Sequence, residues 1–241
     1  MFLRIEDVLK AVKGKPLAPL RESARIEKIS TDTRTIGKND LFFALRGPNF
    51  DGHAFLDDAA RKGAVHFVIS DPGKAPADAD SFNVIVVPDV LAAYGDLAKF
   101  FRGRFEIPAI AVTGSSGKTT VKELLAQALS TQFSVLKNRG TENNLIGVPK
   151  TILQLEASHE ALLLEIGTDQ PGEILRLSSI AAPQIGILTQ IGYSHLEKLK
   201  NIEGVLEEKL GLLTNLARGG TLLLNNEDPF LKNVKSGAHR V

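Results

Sequence analysis

Seven residues near the middle of the chain, Gly114-Ser115-Ser116-Gly117-Lys118-Thr119-Thr120, read GSSGKTT. A glycine-rich turn that opens a helix presents free N–H groups and the positive end of the helix dipole, and both suit phosphate. Gly114 and Gly117 let the main chain curl close to an anion. Lys118 can reach β- and γ-phosphates as a point charge, and the Thr119 hydroxyl can offer an oxygen to Mg²⁺. The spelling is short. The standard loop places its first glycine five positions before the second, but position 112 is valine, and Gly114 stands only three before Gly117. The plain reading is a Gly-Ser turn between a strand and a helix.

Other candidates lie further along. Glu165 ends the apolar run ALLLE, where a desolvated carboxylate costs several kcal/mol without a partner. A hard cation such as Mg²⁺ is one such partner; an exposed strand end is the plain alternative. His195 follows IGILTQIG, and Lys209 lies in EGVLEEKLGLL with glutamate neighbours. Asn143 and Asn144 follow KNRGTE, and asparagine is common in turns for its tolerance of left-handed backbone. Ser30, Thr31, Asp32, Thr33 and Arg34 follow an early strand-like run, where Arg34 can equally be a structural ion-pair partner.

The elements that must hold these groups are legible in the pattern. Residues 1–88 read as a small α/β unit. ARIEKIST, DLFFAL, AVHFVIS and NVIVVPD are strands, FLDDAARKG is a short helix, and DPGKAPADAD is a loop. DVLAAYGDLAKFFRGRF has helical spacing and makes 89–106 a linking helix. From 107 to 241 short apolar runs alternate with amphipathic helices: IPAIAVTG, FSVLKN, ALLLEIG, IGILTQIG and TLLLNN. Such runs suit strands covered on both faces of a mostly parallel sheet. Ligands then sit at the strands' carboxyl ends, where the candidates lie. After the glycine turn, Val121, Leu124, Leu125, Ala128 and Leu129 form a helical apolar stripe.

Composition narrows the class. With 43% apolar and 24% charged residues the chain is of soluble globular type, and no apolar run approaches the ~18 residues of a membrane span. The net charge of +1 gives no electrostatic reason for a nucleic-acid partner. The absence of cysteine removes disulfides and thiolate metal sites, and it fits a cytoplasmic protein. A monomer without membrane insertion is expected.

VTGSSGKTT resembles the ATP loop of the Mur ligases and folylpolyglutamate synthases, written T-G-x-x-G-K-T-[ST]. TENNLIGVPKTILQL (141–155), LLLEIGTDQPGEI (162–174), TQIGYSHLEKLKNIEGVLEEKLGLL (189–213) and LLLNNEDP (222–229) follow in the family's order. ISTDTRTIGKNDLFFALRGPNFDGHAFLDDAARKGA (29–64) is similar to the UDP-sugar-binding domain of the later Mur ligases. The resemblance implies ATP and Mg²⁺ as cofactors. It makes Lys118, Glu165, His195 and Lys209 catalytic, and residues 114–120 the ATP loop. Thr119 and Glu165 become metal ligands, with His195 near a second metal. The lysine matching Lys209 can carry a carbamate formed from CO₂. Ser30 to Arg34 lie by the uridine diphosphate, and Asn143 and Asn144 by the UDP-sugar or the phosphates. Position 190 departs from the pattern, with glutamine for the usual asparagine.

ENNLIGVP and EIGTDQPGEI are most similar to the members that join D-Ala-D-Ala to UDP-N-acetylmuramoyl-tripeptide, through an acyl phosphate, in peptidoglycan precursor synthesis. The alternatives are a sibling that adds a diamino acid, expected to show Thr-Thr-Pro where this chain has ENN, or a non-catalytic module binding ATP and UDP-sugar. The family has a third, C-terminal domain that closes over ATP, and these 241 residues reach only the central one. Weak turnover by the chain alone is therefore expected.

Overall fold

The computed structural model describes residues 3–21 and 25–235, so Ala24, the first residue of the ARIEKIST strand reading, lies outside the described residues. The chain divides into two compact units, Met1–Phe100 and Phe101–Val241. The division falls inside a helix.

The first unit contains helix α1 (Ile5–Val12), strands β1 (Lys15–Pro16), β2 (Ile29–Ser30), β3 (Leu41–Phe43), β4 (Arg46–Gly47) and β5 (Phe50–Asp51), helix α2 (Leu56–Arg61), and strands β6 (His66–Ile69) and β7 (Asn83–Val86). The main sheet runs β1-β7-β6-β3-β2. Only β1 is antiparallel to its neighbour. β3 and β6 are buried at every position, as strands covered on both faces must be. Phe42, Phe67, Leu56, Ala59 and Val84 meet in the core beneath α2. The short β4–β5 hairpin stands apart from this sheet.

Helix α3 (Val90–Arg102) leads into the second unit. There follow β8 (Ala109–Thr113), α4 (Lys118–Leu129), β9 (Val135–Lys137), α5 (Gly147–Ile152), β10 (Ala161–Glu165), α6 (Glu173–Ala181), β11 (Ile185–Leu188), α7 (Leu196–Leu199), α8 (Ile202–Thr214) and β12 (Thr221–Leu224). The order β12-β11-β8-β10-β9 is parallel throughout. β8 is central, and the chain moves to one side of it for β9 and β10 and to the other for β11 and β12. This switch opens a crevice at the carboxyl ends of β8, β10 and β11. The buried Arg102 guanidinium donates to the carbonyls of Phe105, Ile107 and Ala181, fixing the approach to β8.

One buried group in the first unit has an energetic consequence. His66 is fully buried; Asn83 donates to its Nδ1 at 3.3 Å, and its Nε2 has no partner among the described residues. Burial pushes its pKa down from 6.5 to about 4. The unfolded chain therefore binds a proton near pH 6.5 that the native chain refuses until pH 4, so stability falls as pH drops through that window. The shift corresponds to about 3 kcal/mol at most. Urea unfolding at pH 7 and pH 4.5 should show a smaller acid loss for His66→Leu than for the parent chain. Equal losses would contradict this assignment.

Candidate functional site

The glycine turn joins the buried end of β8 to α4, and its two glycines do different work. At Gly114 φ is +146°, and a Cβ would collide with Thr189 Oγ1. At Gly117 φ is +78°, the left-handed region that glycine adopts without strain. Gly117 caps α4 with no side-chain hydrogen bond, which leaves the first turn's N–H groups facing outward.

The segment after β11 holds the turn from the other side. Ser115 N–H donates to Gln190 O at 2.7 Å, and Thr189 Oγ1 donates to Ser116 O at 2.6 Å. Ser115 Oγ donates to Gly192 O at 2.9 Å and accepts from Gly192 N–H at 3.0 Å. Gln190, the departure from the family pattern, accepts from Ser116 Oγ through its own Oε1 at 2.6 Å. The buried Asp228 carboxylate accepts from Ile191 N–H and anchors this segment to the stretch after β12.

Behind the turn, Lys118 Nζ donates to Gly114 O at 2.8 Å and to Ser115 O at 3.3 Å. Burial lowers its pKa, and the charge of Glu165 opposes that shift. Thr119 Oγ1 donates to Glu165 Oε2 at 2.7 Å; Thr120 is exposed. Glu165 is only 1% exposed, which excludes the exposed-strand-end reading. Asn143 Nδ2 donates to its Oε1 at 2.7 Å, and the Lys122 ammonium stands 3.9 Å from its Oε2. The Asn138 side chain pairs with the main chain of Glu165 in both directions at 2.9 Å, continuing the ladder beyond β9. Asn144 turns to its own helix, accepting from Ile146 and Gly147 N–H groups.

Lys209 lies on α8, fully buried, with no hydrogen bond or ion pair among the described residues. Burial, and then the charge of Lys118, lower its pKa to about 8. Its neighbour Glu208 accepts from Gly172 and Ile174 N–H groups at 2.6 and 2.8 Å, capping α6 from α8. His195 starts α7 at φ +52° and pairs with Asp169 at 3.3 Å. No group of three His, Asp or Glu side chains converges among the described residues.

In the first unit, residues 30–34 fold on themselves. Asp32 accepts from Arg34 N–H and pairs with its guanidinium at 2.6 Å, and the Arg34 side-chain hydrogen bond holds the Asp32 pKa at about 2. Ser30 Oγ meets Thr35 Oγ1 and the carbonyl of Asp32; Thr31 and Thr33 flank this turn, Thr33 opening its 3₁₀ segment. A second cluster has Asp51 between Arg46, Lys74 and the buried His53. The sequence reading missed Lys122, Asn138, Glu208 and Asp228. The signal for Lys122 was its place at i+4 from Lys118 on α4.

The fold and this turn define a chain of two α/β units whose second carries a phosphate-loop-like strand–turn–helix. The chain belongs to the Mur ligase family: residues 112–241 match the Mur ligase middle domain, and residues 25–102 match the Mur ligase family catalytic domain. It is 41% identical over 212 residues to the UDP-N-acetylmuramoyl-tripeptide–D-alanyl-D-alanine ligase of Synechocystis, covering 88% of this chain and 46% of that protein. The enzyme of the same name from Bacillus subtilis is 37% identical, over 96% of this chain and 50% of its own. A MurF crystal structure from Acinetobacter baumannii superposes with a TM-score of 0.92 at 29% identity, covering all of this chain and 52% of that one. The Thermotoga maritima MurF ligase in complex with ADP gives a TM-score of 0.81 at 30% identity, over 88% of this chain and 49% of that one. The chain spans about half the length of the curated relatives it matches.

Gly114→Ala should destabilise the second unit, because the new Cβ meets Thr189 in a backbone region that alanine rarely adopts. The expected loss is at least about 1–3 kcal/mol, read by chemical denaturation. A change within roughly 0.5 kcal/mol, ordinary for a surface site, would show that the close approach to Thr189 is not required.

Proposed function

We propose that this chain supplies the UDP-sugar-binding and ATP-binding parts of a ligase that joins D-Ala-D-Ala to UDP-N-acetylmuramoyl-tripeptide. The observation that carries the reading is the pair of oxygens behind the glycine turn, Thr119 Oγ1 and the buried Glu165 carboxylate, 2.7 Å apart. Such hard oxygen donors fit Mg²⁺, which commonly uses one or two protein carboxylates and takes the rest from phosphate and water. Thr119 and Glu165 would hold it with ATP, and it would supply charge neutralisation at the transferring phosphoryl group. His195, engaged with Asp169, is not part of this oxygen pair.

The chain's own groups do the remaining work. The uncapped N–H groups of α4 receive phosphate oxygens. Lys118 exchanges the carbonyls of Gly114 and Ser115 for phosphate, and its partial burial strengthens that contact. The tripeptide carboxylate attacks the γ-phosphate, giving an acyl phosphate and ADP. The dipeptide amine then displaces inorganic phosphate. Such transfer depends mainly on positioning and charge. Lys209, with its pKa near 8, keeps an appreciable neutral fraction at neutral pH. A neutral amine can add to CO₂ and release a proton, and the resulting carbamate would face the charge of Lys118.

In this proposal residues 1–88 hold the uridine diphosphate end, with Ser30–Arg34 and the 46–53 hairpin as the contact region. Asn143 serves the phosphate side through Glu165. The names of the relatives, UDP-N-acetylmuramoyl-tripeptide–D-alanyl-D-alanine ligases, support the choice of substrate. Calorimetric titration should show Mg²⁺-dependent ATP binding. It should also show tighter binding of UDP-N-acetylmuramoyl-tripeptide than of the corresponding dipeptide. Preference for the dipeptide would assign the chain to the diamino-acid-adding reaction, and no binding of either nucleotide would overturn the proposal.

A further inference from the structure

Lys122 is a lysine where a core residue is expected. It sits on α4 one turn beyond Lys118, and its side chain is 0% exposed. An ammonium in such a place is costly unless its hydrogen bonds and charge are matched. All are matched here, by groups from different segments. Nζ donates to the carbonyls of Asn138 at 3.0 Å and Gly140 at 2.9 Å. It stands 3.2 Å from Glu123 Oε1 and 3.9 Å from Glu165 Oε2. Glu123 is in turn paired with Lys137 at the end of β9.

The two carbonyls belong to the loop that carries Asn143, and Asn143 is the group that holds Glu165 Oε1. The ammonium therefore ties together the helix bearing Lys118 and Thr119, the 138–143 loop, and the carboxylate at the end of β10. We infer that Lys122 is a positioning residue for the cation-binding carboxylate. It fixes the loop that orients Glu165, and its charge keeps that carboxylate partnered in a buried setting. The Lys122 ammonium is taken up by two loop carbonyls and two carboxylates, so it acts through Glu165 and the loop that carries Asn143. The inference rests on the reading of Thr119 and Glu165 as Mg²⁺ ligands.

The consequence is a split between two parts of nucleotide affinity. The α4 N–H groups and Lys118 bind ADP with or without a cation, whereas Glu165 contributes only through the cation. Lys122→Met should leave ADP affinity in EDTA within about twofold. It should remove most of the increase that Mg²⁺ brings, a loss of about tenfold or more, the scale of one charge-assisted contact. Lys122→Arg, which keeps a charged donor, should restore much of the increase. A general packing defect would weaken binding in EDTA as well.

The experiment is isothermal titration of ADP into the parent chain and each variant, in EDTA and in saturating MgCl₂, with circular dichroism to establish folding. An unchanged Mg²⁺ increment in Lys122→Met overturns the inference, and so does equal weakening in both buffers. No increment in the parent chain itself overturns instead the reading of Thr119 and Glu165 as cation ligands. Should Lys122→Met not fold, Asn143→Leu decides, because it cuts the link from loop to carboxylate and leaves the buried lysine in place. Loss of the Mg²⁺ increment in that variant supports the inference, and its retention overturns it.

Discussion

A carboxylate at the end of a buried strand is the constraint on which this site depends. Glu165 closes β10, whose five residues are all buried. An ionised group there loses its water and must recover the cost from neighbours. It does so through Thr119 from α4, Asn143 from the loop after β9, and the charge of Lys122. Thr119 and Lys122 share α4 and Asn143 comes from the loop after β9, so forming the carboxylate's environment brings helix, loop and strand into one arrangement. The parallel register of β10 with β8, which sets Glu165 beside Val112, places this cluster directly behind the glycine turn.

The same logic of satisfied polar groups shapes the rest of the crevice. Backbone groups of the turn are held by Thr189 and Gln190, the Ser115 hydroxyl is held by Gly192, and that segment is held by Asp228. Glu208 occupies the start of α6 and so fixes α8, which carries Lys209. Lys209 is the contrast, a buried amine without a hydrogen-bond or ion-pair partner among the described residues, and burial lowers its pKa.

Much of this was legible in the sequence, for a physical reason. Parallel strands buried on both faces leave uniform apolar runs, and ALLLE, AIAVT and HFVI became β10, β8 and β6. Glycines in a strand–turn–helix setting announce a close backbone approach, and Gly114 makes one. The face of α4 was read in part. Of the stripe Val121, Leu124, Leu125, Ala128 and Leu129, the residues Val121, Leu125 and Leu129 pack on the core, whereas Leu124 is 63% exposed and Ala128 is exposed too. The face that packs on the sheet instead runs through Val121, Lys122, Leu125, Ala126 and Leu129. Hydrophobicity alone cannot select a face that contains a lysine, because the reason for the lysine lies in loop carbonyls distant in sequence. Asn138 and Glu208 were illegible likewise, since their partners are main-chain groups 27 to 36 residues away.

The role proposed for Glu165 is to bind the cation that accompanies the nucleotide. Its most direct test is titration of ATP into the parent chain and into Glu165→Gln, each with and without Mg²⁺. The substitution keeps size and one acceptor oxygen, but it removes the charge and puts an amide donor in place of the other oxygen. The account expects Mg²⁺ to strengthen ATP binding to the parent chain and to leave the variant essentially unaffected. An equal gain from Mg²⁺ in both proteins would contradict it.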